Sequence, residues 1–315
     1  MQIKLIIDRF DQAGPGKAQQ YEIEAPKDAT LLEALRRLQE DVDGTLAMEG
    51  SCRTGLCGGC TMRANGKSLH ACRTPIASLA QSGTVQVGPL RHIPVRKDLV
   101  CDTETFLFGK IKAVRPWIEP GERSAAGERL IADERLSVVR KAMNCTMCGL
   151  CDEGCTVIAV DRSFWGPAAL TKAYRVAFDP RDSATKEHLA HYQQRRGLWD
   201  CTHCFEASSH CPKNINPTDR IFDLRDKAIK LGIADPAAAR HHASFAASVK
   251  ASGWLDEGRL AVESEGFTNI PGLLRLMPTA LRALRKGKAP LPYKHPKRPG
   301  ADRIKRIIKK AEEKR

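Results

Sequence analysis

The sequence predicts an α+β protein, with a β-rich domain over residues 1–95, an all-α domain over residues 96–235 and a helical extension over residues 236–315. Two observations lead to this prediction. Apolar residues follow strand patterns only near the N-terminus, and further along the chain they recur at helical spacing. Twelve cysteines lie in the first two domains, and eleven of them fall into groups whose spacing is typical of metal ligands.

The first domain begins with an apolar run at residues 3–8 that predicts a strand. Residues 21–23 predict its hairpin partner, and the turn between them contains Gly14-Pro15-Gly16. Thr30 then predicts a helix N-cap, with Glu33 three residues later as its capping-box partner. The helix after it presents one apolar face, formed by Leu31, Leu32, Leu35 and Leu38. Two strands, a helix and then a cysteine-rich loop is the order of a β-grasp ferredoxin.

That loop has the spacing C-x4-C-x2-C followed by a distant cysteine, which is the plant-type [2Fe–2S] pattern. Backbone N–H groups must point at the cluster sulfurs, and glycine permits the close approach and the positive φ that this requires. Gly55, Gly58 and Gly59 supply that freedom. The Asn65-Gly66 pair predicts a hairpin turn before the strand that delivers the last cysteine. The predicted [2Fe–2S] ligands are Cys52, Cys57, Cys60 and Cys72.

The second domain contains the run C-x2-C-x2-C-x3-C, which is typical of bacterial two-cluster ferredoxins, in which the fourth cysteine of a run ligates the other cluster. A second group, with the spacing C-x2-C and a later Cys-Pro, lies downstream. The predicted [4Fe–4S] ligands are Cys145, Cys148, Cys151 and Cys211. The predicted third-cluster ligands are Cys155, Cys201 and Cys204. A zinc knuckle or a disulfide scaffold is the alternative, but zinc needs only four ligands in two pairs.

Glycine and prolines between Val87 and Pro94 mark the boundary between the two domains, because they end the strand pattern. Helices are predicted at residues 128–143, 164–178 and 183–195, and Pro217 opens a longer one. Leu130 is expected on the apolar face of the first of these helices. Cys101 has no partner at metal-ligand spacing, so a buried, apolar-like cysteine is expected there.

The order of these motifs resembles the iron–sulfur subunit of succinate dehydrogenase and fumarate reductase over residues 1–235. The segments that carry the resemblance, besides the cysteines, are Gly166-Pro167-Ala168-Ala169-Leu170, Asp179-x-Arg181-Asp182 and Cys211-Pro212-Lys213-x-x-Asn216-Pro217. The resemblance implies an electron relay between a partner FAD flavoprotein subunit and a quinone at membrane anchor subunits. It also implies a protein peripherally attached to the cytoplasmic face of a bacterial or archaeal inner membrane.

The sequence departs from the family pattern at the third cluster. The family has cysteines at the positions of Cys155, Cys201 and Ala207, whereas this chain has Cys204 and lacks the cysteine at 207. Three thiolates favour [3Fe–4S]. A [4Fe–4S] cluster would need a substitute fourth ligand, for which Glu206, Ser208 and His210 are available. The family's usual tryptophan and histidine beside the quinone are replaced by Thr156-Val157-Ile158-Ala159-Val160 and Thr202, which puts the ordinary quinone pocket in doubt.

The extension beyond Asp235 is a second departure. Its Gly258-to-Glu263 segment resembles variant complexes whose anchor is a heterodisulfide-reductase-like, cysteine-rich subunit. Residues 282–315 hold 14 basic and three acidic residues, so this segment carries +11 of the net charge of +14. A basic tail suits an anionic membrane face or an acidic partner better than a nucleic-acid groove, and no nucleic-acid partner is expected. Neither a signal peptide nor a membrane span is expected.

No Gly-x-Gly-x-x-Gly segment follows a strand, so no flavin or nicotinamide site is predicted and the carbon chemistry is expected on another subunit. The function expected of this chain is electron transfer, without a substrate site of its own. Three alternatives compete with this function. They are an iron–sulfur subunit of a thiol- or heterodisulfide-linked reductase, a zinc-bearing nucleic-acid-binding protein and a free-standing soluble electron carrier.

Overall fold

The N-terminal strand shows the alternation that the sequence predicts, since Ile3, Leu5 and Ile7 are buried and the residues between them are less so. The computed structural model describes residues 1–11, 14–121, 127, 130–288 and 297–313. The strands are β1 (Gln2–Ile7), β2 (Phe10–Asp11), β3 (Gly14–Pro15), β4 (Gln19–Glu24), β5 (Thr61–Ala64), β6 (Lys67–His70), β7 (Thr84–Gly88), β8 (Val95–Lys97) and β9 (Val100–Cys101).

Five of these strands form one mixed sheet in the order β4-β1-β7-β5-β6. Strands β1 and β4 are antiparallel, with Ile3 opposite Ile23, so the predicted pairing is confirmed. Strand β7 runs parallel to β1 and antiparallel to β5, and β5 and β6 form the predicted hairpin. This hairpin separates the cysteine loop from Cys72, so it sets where the last cysteine of the first group lies.

Helix α1 (Leu31–Asp41) begins with the predicted capping box. The Glu33 N–H donates to Thr30 Oγ1 at 3.3 Å, and the Thr30 N–H donates to Glu33 Oε2 at 2.7 Å. The apolar face of α1 is buried in the same core as the sheet, as predicted. The cysteine loop begins about ten residues after α1 ends, at Cys52, and returns to the sheet at β5.

Asp98 ties the sheet domain together in a way that no sequence motif indicates. Its carboxylate is almost fully buried and accepts hydrogen bonds from Arg9 Nε at 2.8 Å, the Phe10 N–H at 3.2 Å and the Ala47 N–H at 2.9 Å. A buried carboxylate is stable only where donors of this kind replace water. Asp98 therefore holds three distant parts of the first domain together.

Helices dominate the chain from residue 103 onward, after a π-helical turn at Thr103–Phe108. One short helix, α2 (Ile76–Leu79), lies within the sheet domain. The helices after it are α3 (Gly109–Ala113), α4 (Asp133–Met143), α5 (Leu150–Glu153), α6 (Thr156–Val160), α7 (Gly166–Ala177), α8 (Thr185–Tyr192), α9 (Glu206–Ser209), α10 (Pro217–Lys230), α11 (Pro236–Ser252), α12 (Glu257–Glu265), α13 (Ile270–Arg285) and α14 (Ala301–Glu313). Short 3-10 turns lie at Ala71–Arg73 and Leu198–Asp200. In the described residues, none of the helices is long and apolar enough to span a bilayer.

The predicted helix at residues 128–143 begins later than expected. Residues 128–129 lie outside the described part, and α4 starts at Asp133 after the extended Ala132. Asp133 and Glu134 occupy the first turn, where the helix dipole favours acidic side chains. Leu130 precedes the helix and is 90% exposed, so the prediction that it lies on the apolar face was wrong.

Helix α7 lies at the centre of the helical region, and nearly every one of its residues is buried. It contacts α3, α4, α5 and α8. It therefore supports the chain segment between α4 and α5, which carries cysteines. A satellite core beside it contains Leu90, Ile93, Leu150 and Cys101. Cys101 is buried as expected, and burial raises the pKa of its thiol to about 11.

The chain forms two compact units, Met1–Ala228 and Ile229–Arg315. The second unit is entirely helical in its described residues. Within it, α11 packs against α12 and α14, and α12 packs against α13. Asp235 caps α11 by accepting from the N–H groups of Ala237 and Ala238. The division into three domains at residues 95 and 235 stays a prediction.

Candidate metal centres

The first cysteine loop directs backbone donors at Cys52. The N–H groups of Thr54, Leu56 and Cys57 lie 3.4, 3.3 and 3.3 Å from Cys52 Sγ. These hydrogen bonds, first that of Cys57, lower the pKa of Cys52 to about 5. Hydrogen bonds to sulfur of this kind stabilise the thiolate, which is the form that binds iron. The loop is therefore shaped for an anionic sulfur.

Positive φ angles at Gly55 (+74°) and Gly58 (+76°) make this loop possible. Gly59 has no positive φ, but a Cβ on it would lie 3.8 Å from Cys57 Sγ. Of the three glycines, then, two supply the left-handed backbone, and a Cβ at Gly59 would make only ordinary contacts.

The other side of the first site is formed by Cys60 and Cys72, which are buried and adjacent. Burial, reinforced by the neighbouring Cys72, raises the pKa of the Cys60 thiol to about 12. Metal coordination deprotonates a thiol outright, so a positive centre held between Cys60 and Cys72 would offset the effect of burial on Cys60. Cys57 is exposed at the mouth of the loop. The four side chains therefore fit a [2Fe–2S] cluster, with two thiolates buried and two near the surface.

The second site is a cavity of about 370 Å³, including its mouth, that all four predicted [4Fe–4S] cysteines line. Cys145, Cys148 and Cys151 come from the loop and helix after α4, and Cys211 comes from the segment after α9. Gly149, with φ at +78°, turns the chain between two of these cysteines. Burial raises the pKa of Cys151 well above its ordinary value. The rest of the lining is mostly apolar: Met147, Ala168, Ile215 and Pro217, with Thr146, Thr171 and Lys213.

The first and second sites touch. A Cβ added to Gly58 would lie 2.9 Å from Cys148 Cα, so the first cysteine loop packs against the backbone of the second. This distance is shorter than an ordinary van der Waals contact, so no side chain fits at position 58 unless the backbone shifts. No sequence motif indicates this contact, because the two residues are far apart in the chain.

The third site contains Cys155 at the start of α6, with Cys201 and Cys204 before α9. Burial raises the pKa values of Cys155 and Cys201. Cys204 differs, because hydrogen bonds, first that of Thr156, outweigh its partial burial and lower its pKa. Thr156 Oγ1 donates to Cys204 Sγ at 3.3 Å. Thr156 is a residue where the sequence departs from the family pattern, and here it contacts the cysteine that the family lacks.

The possible substitute ligands for a fourth iron have other partners. Ser208 Oγ accepts from the Thr218 N–H at 3.2 Å. His210 Nδ1 lies 2.8 Å from the carbonyl oxygen of Glu206, and the Glu206 carboxylate is half-exposed. Ala207, where the family has cysteine, is buried. Among the described residues, no three His, Cys, Asp or Glu side chains converge as a single ion requires. A cluster of several irons takes its thiolates at separate corners.

Arg225 lies beside the third site, and sequence motifs did not single it out. Its guanidinium is buried and donates to the carbonyl oxygens of Leu198 (Nη2 2.7 Å, Nε 3.0 Å) and Cys201 (Nη2 2.8 Å). Its Nη1 lies 2.7 Å from His203 Nε2, and the His203 ring stacks on Phe222 at 3.7 Å. Burial lowers the pKa of Arg225 to about 10, so it remains a cation at neutral pH. In the sequence, the signal that could have identified Arg225 was its position on the apolar face of α10.

Family models match both cysteine regions. A 2Fe-2S iron–sulfur cluster binding domain matches residues 4–108, and a 4Fe-4S dicluster domain matches residues 141–215. These matches confirm the predicted order of a sheet-containing [2Fe–2S] ferredoxin domain and a helical ferredoxin-like region.

Two relatives are iron–sulfur subunits of fumarate reductases. The 8-methylmenaquinol:fumarate reductase iron–sulfur subunit of Wolinella succinogenes is 33% identical over 279 residues, which are 85% of this chain and 86% of the relative. The fumarate reductase iron–sulfur subunit of Mycobacterium tuberculosis is 34% identical over 205 residues, 64% of this chain and 82% of the relative. The structure titled Mycobacterium smegmatis Sdh1 complex in the apo form matches with a TM-score of 0.67 and 26% identity, covering 74% of this chain and 98% of that one.

The resemblance read from the cysteine motifs is thus confirmed over a long stretch of the sequence and at the level of the fold. The relatives are subunits of oxidoreductase complexes, and in one case the alignment is long enough to include part of the extension. The chain belongs to the family of iron–sulfur subunits of succinate dehydrogenase and fumarate reductase.

Proposed function

We propose that this chain carries electrons between a partner FAD flavoprotein and a quinone at a membrane anchor. The supporting observation is the cavity that Cys145, Cys148, Cys151 and Cys211 line together, with the first cysteine loop packed against it at Gly58. Sites in contact allow single-electron steps through protein. The chain's own part in function is then to hold the centres in place and to set their potentials.

The proposed ligands are those that the cysteine spacing predicts. Cys52, Cys57, Cys60 and Cys72 would hold [2Fe–2S], and Cys145, Cys148, Cys151 and Cys211 would hold [4Fe–4S]. Iron–sulfur clusters supply reversible one-electron chemistry at potentials set by cluster type, hydrogen bonds to sulfur and burial. The backbone donors to Cys52 and the largely apolar lining around Cys151 are the corresponding features of this chain.

For the third site we propose [3Fe–4S], held by Cys155, Cys201 and Cys204. Three thiolates meet the need of this cluster, and two of the available substitutes for a fourth ligand, Ser208 and His210, already make hydrogen bonds. Thr156 would support the thiolate of Cys204 through its hydroxyl.

The proposed partners are an FAD flavoprotein subunit and a quinone-binding anchor, at the cytoplasmic face of the membrane. The Wolinella succinogenes relative is named for 8-methylmenaquinol, a lipid-soluble donor, and its alignment covers 85% of this chain. An alignment over 85% of the chain must include part of the extension beyond Asp235. This favours a membrane anchor of the heterodisulfide-reductase-like kind. A thiol- or heterodisulfide-linked reductase is the second candidate for the same reason.

The test is electron paramagnetic resonance of the anaerobically purified complex, with iron and acid-labile sulfide measured on the same sample. We expect a [3Fe–4S] signal in the oxidised protein, and [2Fe–2S] and [4Fe–4S] signals on reduction. Cys148→Ala should remove the [4Fe–4S] signal. Cys101→Ala, which changes a buried cysteine outside the three sites, should keep all three. Turnover with a disulfide but not with a menaquinol analogue would favour the second candidate.

A further inference from the structure

Helix α13 carries an apolar row that faces solvent within its unit. Its members follow each other at alternating spacings of four and three residues, which places them on one side of the helix. Their exposed fractions are 59% for Ile270, 62% for Leu274, 50% for Met277, 47% for Leu281 and 49% for Leu284. Large apolar side chains scattered singly need no explanation, but a continuous row marks a contact surface.

This row is separate from the side by which α13 packs. Leu273, Leu276, Ala280 and Ala283 are half-buried, and they repeat on the neighbouring face of the helix, which contacts α12. Asn269 caps the helix by accepting from the Gly272 N–H at 3.1 Å, so its start is fixed. The exposed row is therefore a second apolar face, additional to the one that the fold uses.

The flank of the row on the other side is cationic. Arg275, Arg282 and Arg285 lie there, Lys286 and Lys288 follow the helix, and α13 contains no acidic residue. Helix α14 adds five more basic residues: Arg303, Lys305, Arg306, Lys309 and Lys310. An apolar row bordered by arginines on a helix without acids is the composition of a helix that lies in the interface of an anionic bilayer. Long arginine side chains can reach the headgroups while the row enters the acyl boundary.

We propose that α13 binds this chain directly to the surface of an anionic membrane, with Ile270, Leu274, Met277, Leu281 and Leu284 inserted and the arginines on lipid phosphates. Charge decides between a membrane and a protein groove here. An apolar groove in a partner would need the row but would gain nothing from the five cations beside it, whereas an anionic leaflet attracts each of them. The inference goes beyond the proposed electron relay and depends on no cluster.

The experiment is vesicle flotation of the purified full-length chain, without the proposed anchor subunits, which would attach to any bilayer. Vesicles of phosphatidylcholine alone are compared with vesicles that also contain phosphatidylglycerol, at low and at raised salt. We expect binding to the phosphatidylglycerol vesicles only, weakening as salt screens the charges. Leu274→Ser with Leu281→Ser, and separately Arg282→Gln with Arg285→Gln, should each weaken binding by about tenfold or more.

Matched variants elsewhere on the surface are the controls. Leu130→Ser with Val42→Ser removes two exposed apolar side chains, and Lys27→Gln with Lys67→Gln removes two exposed charges. Both controls should bind vesicles as the unaltered chain does, and circular dichroism should show that every variant is folded. Equal binding to both lipid mixtures would overturn the proposal. So would undiminished vesicle binding by both α13 variants, including the case where they instead fail to assemble with a partner subunit.

Discussion

At the scale of single residues, the charge beside the third site comes from Arg225. Its guanidinium donates to the carbonyl oxygen of Cys201 from inside the protein, and a cation there favours the reduced, more negative cluster. Arg225→Gln should lower the midpoint potential of the third centre by on the order of 50 mV, or about 1 kcal/mol for one electron. Redox titration followed by electron paramagnetic resonance measures this shift.

Arg225→Lys is the control, because it keeps the charge while losing the fork of donors. If Arg225→Lys and Arg225→Gln lowered the midpoint potential equally, the hydrogen bonds to the carbonyl oxygens of Leu198 and Cys201, rather than the charge, would set the potential. If neither changed the potential, the proposed placement of the third centre beside Cys201 would be wrong.

Ala207 determines how many thiolates the third site offers. It is buried on α9, at the position where the family has cysteine. Ala207→Cys should supply a fourth thiolate and convert the proposed [3Fe–4S] cluster into [4Fe–4S]. The oxidised protein should lose its [3Fe–4S] signal and gain one iron per chain. Ala207→Ser, of similar size, should keep the signal. Absence of the [3Fe–4S] signal from the unaltered protein, with a second [4Fe–4S] cluster in its place, would contradict this prediction.

At the scale of elements, local chemistry made the first domain predictable. Strand β1 alternates, and Thr30 and Glu33 form the capping box that their spacing predicts, because both signals depend on neighbours a few residues away. The start of α4 was mispredicted because that prediction also depended only on a local pattern of apolar residues. Leu130 fits the helical period, yet it remains outside the helix and exposed because α4 starts only after the extended Ala132.

The contact between the two cysteine loops is also an element-scale feature, and Gly58 permits it. Gly58→Ala would combine an unfavourable positive φ with a clash against the Cys148 backbone, where neither side is a flexible side chain. We expect a loss of about 1–3 kcal/mol beyond the cost of the backbone strain. We also expect weaker magnetic coupling between the [2Fe–2S] and [4Fe–4S] centres.

Gly66→Ala separates the two effects. Gly66 has nearly the same φ, +80° against +76°, but a Cβ on it would meet nothing within 4 Å. It should lose only about 1 kcal/mol and leave the coupling unchanged. Anaerobic thermal unfolding of both variants gives the comparison. Equal losses would mean that the loops can separate freely, which would argue against a rigid contact between the first two sites.

At the scale of the whole molecule, the sequence indicated which cysteines cooperate but not what surrounds them. Ligand spacing is a local constraint, so the set of Cys145, Cys148 and Cys151 can be read from the chain. Arg225 beside Cys201 and Gly58 against Cys148 depend on how distant segments pack. Such contacts leave no periodic or spacing signal in one sequence. The fold class was therefore predictable and the cysteine groups could be proposed as ligand sets, whereas the contacts around the cysteines could not be predicted.

The two compact units should also have different roles. All eleven proposed ligands precede Ala228, while the apolar row and most of the tail's charge belong to the second unit. A chain ending at Gly232 keeps α10 whole and retains every residue of the first unit. We expect it to retain the iron content and the three signals of the full chain, and to lose binding to phosphatidylglycerol vesicles. Loss of the third signal alone would show instead that the extension is needed to form that centre, since Cys201, Cys204 and Arg225 all lie in the last part of the first unit.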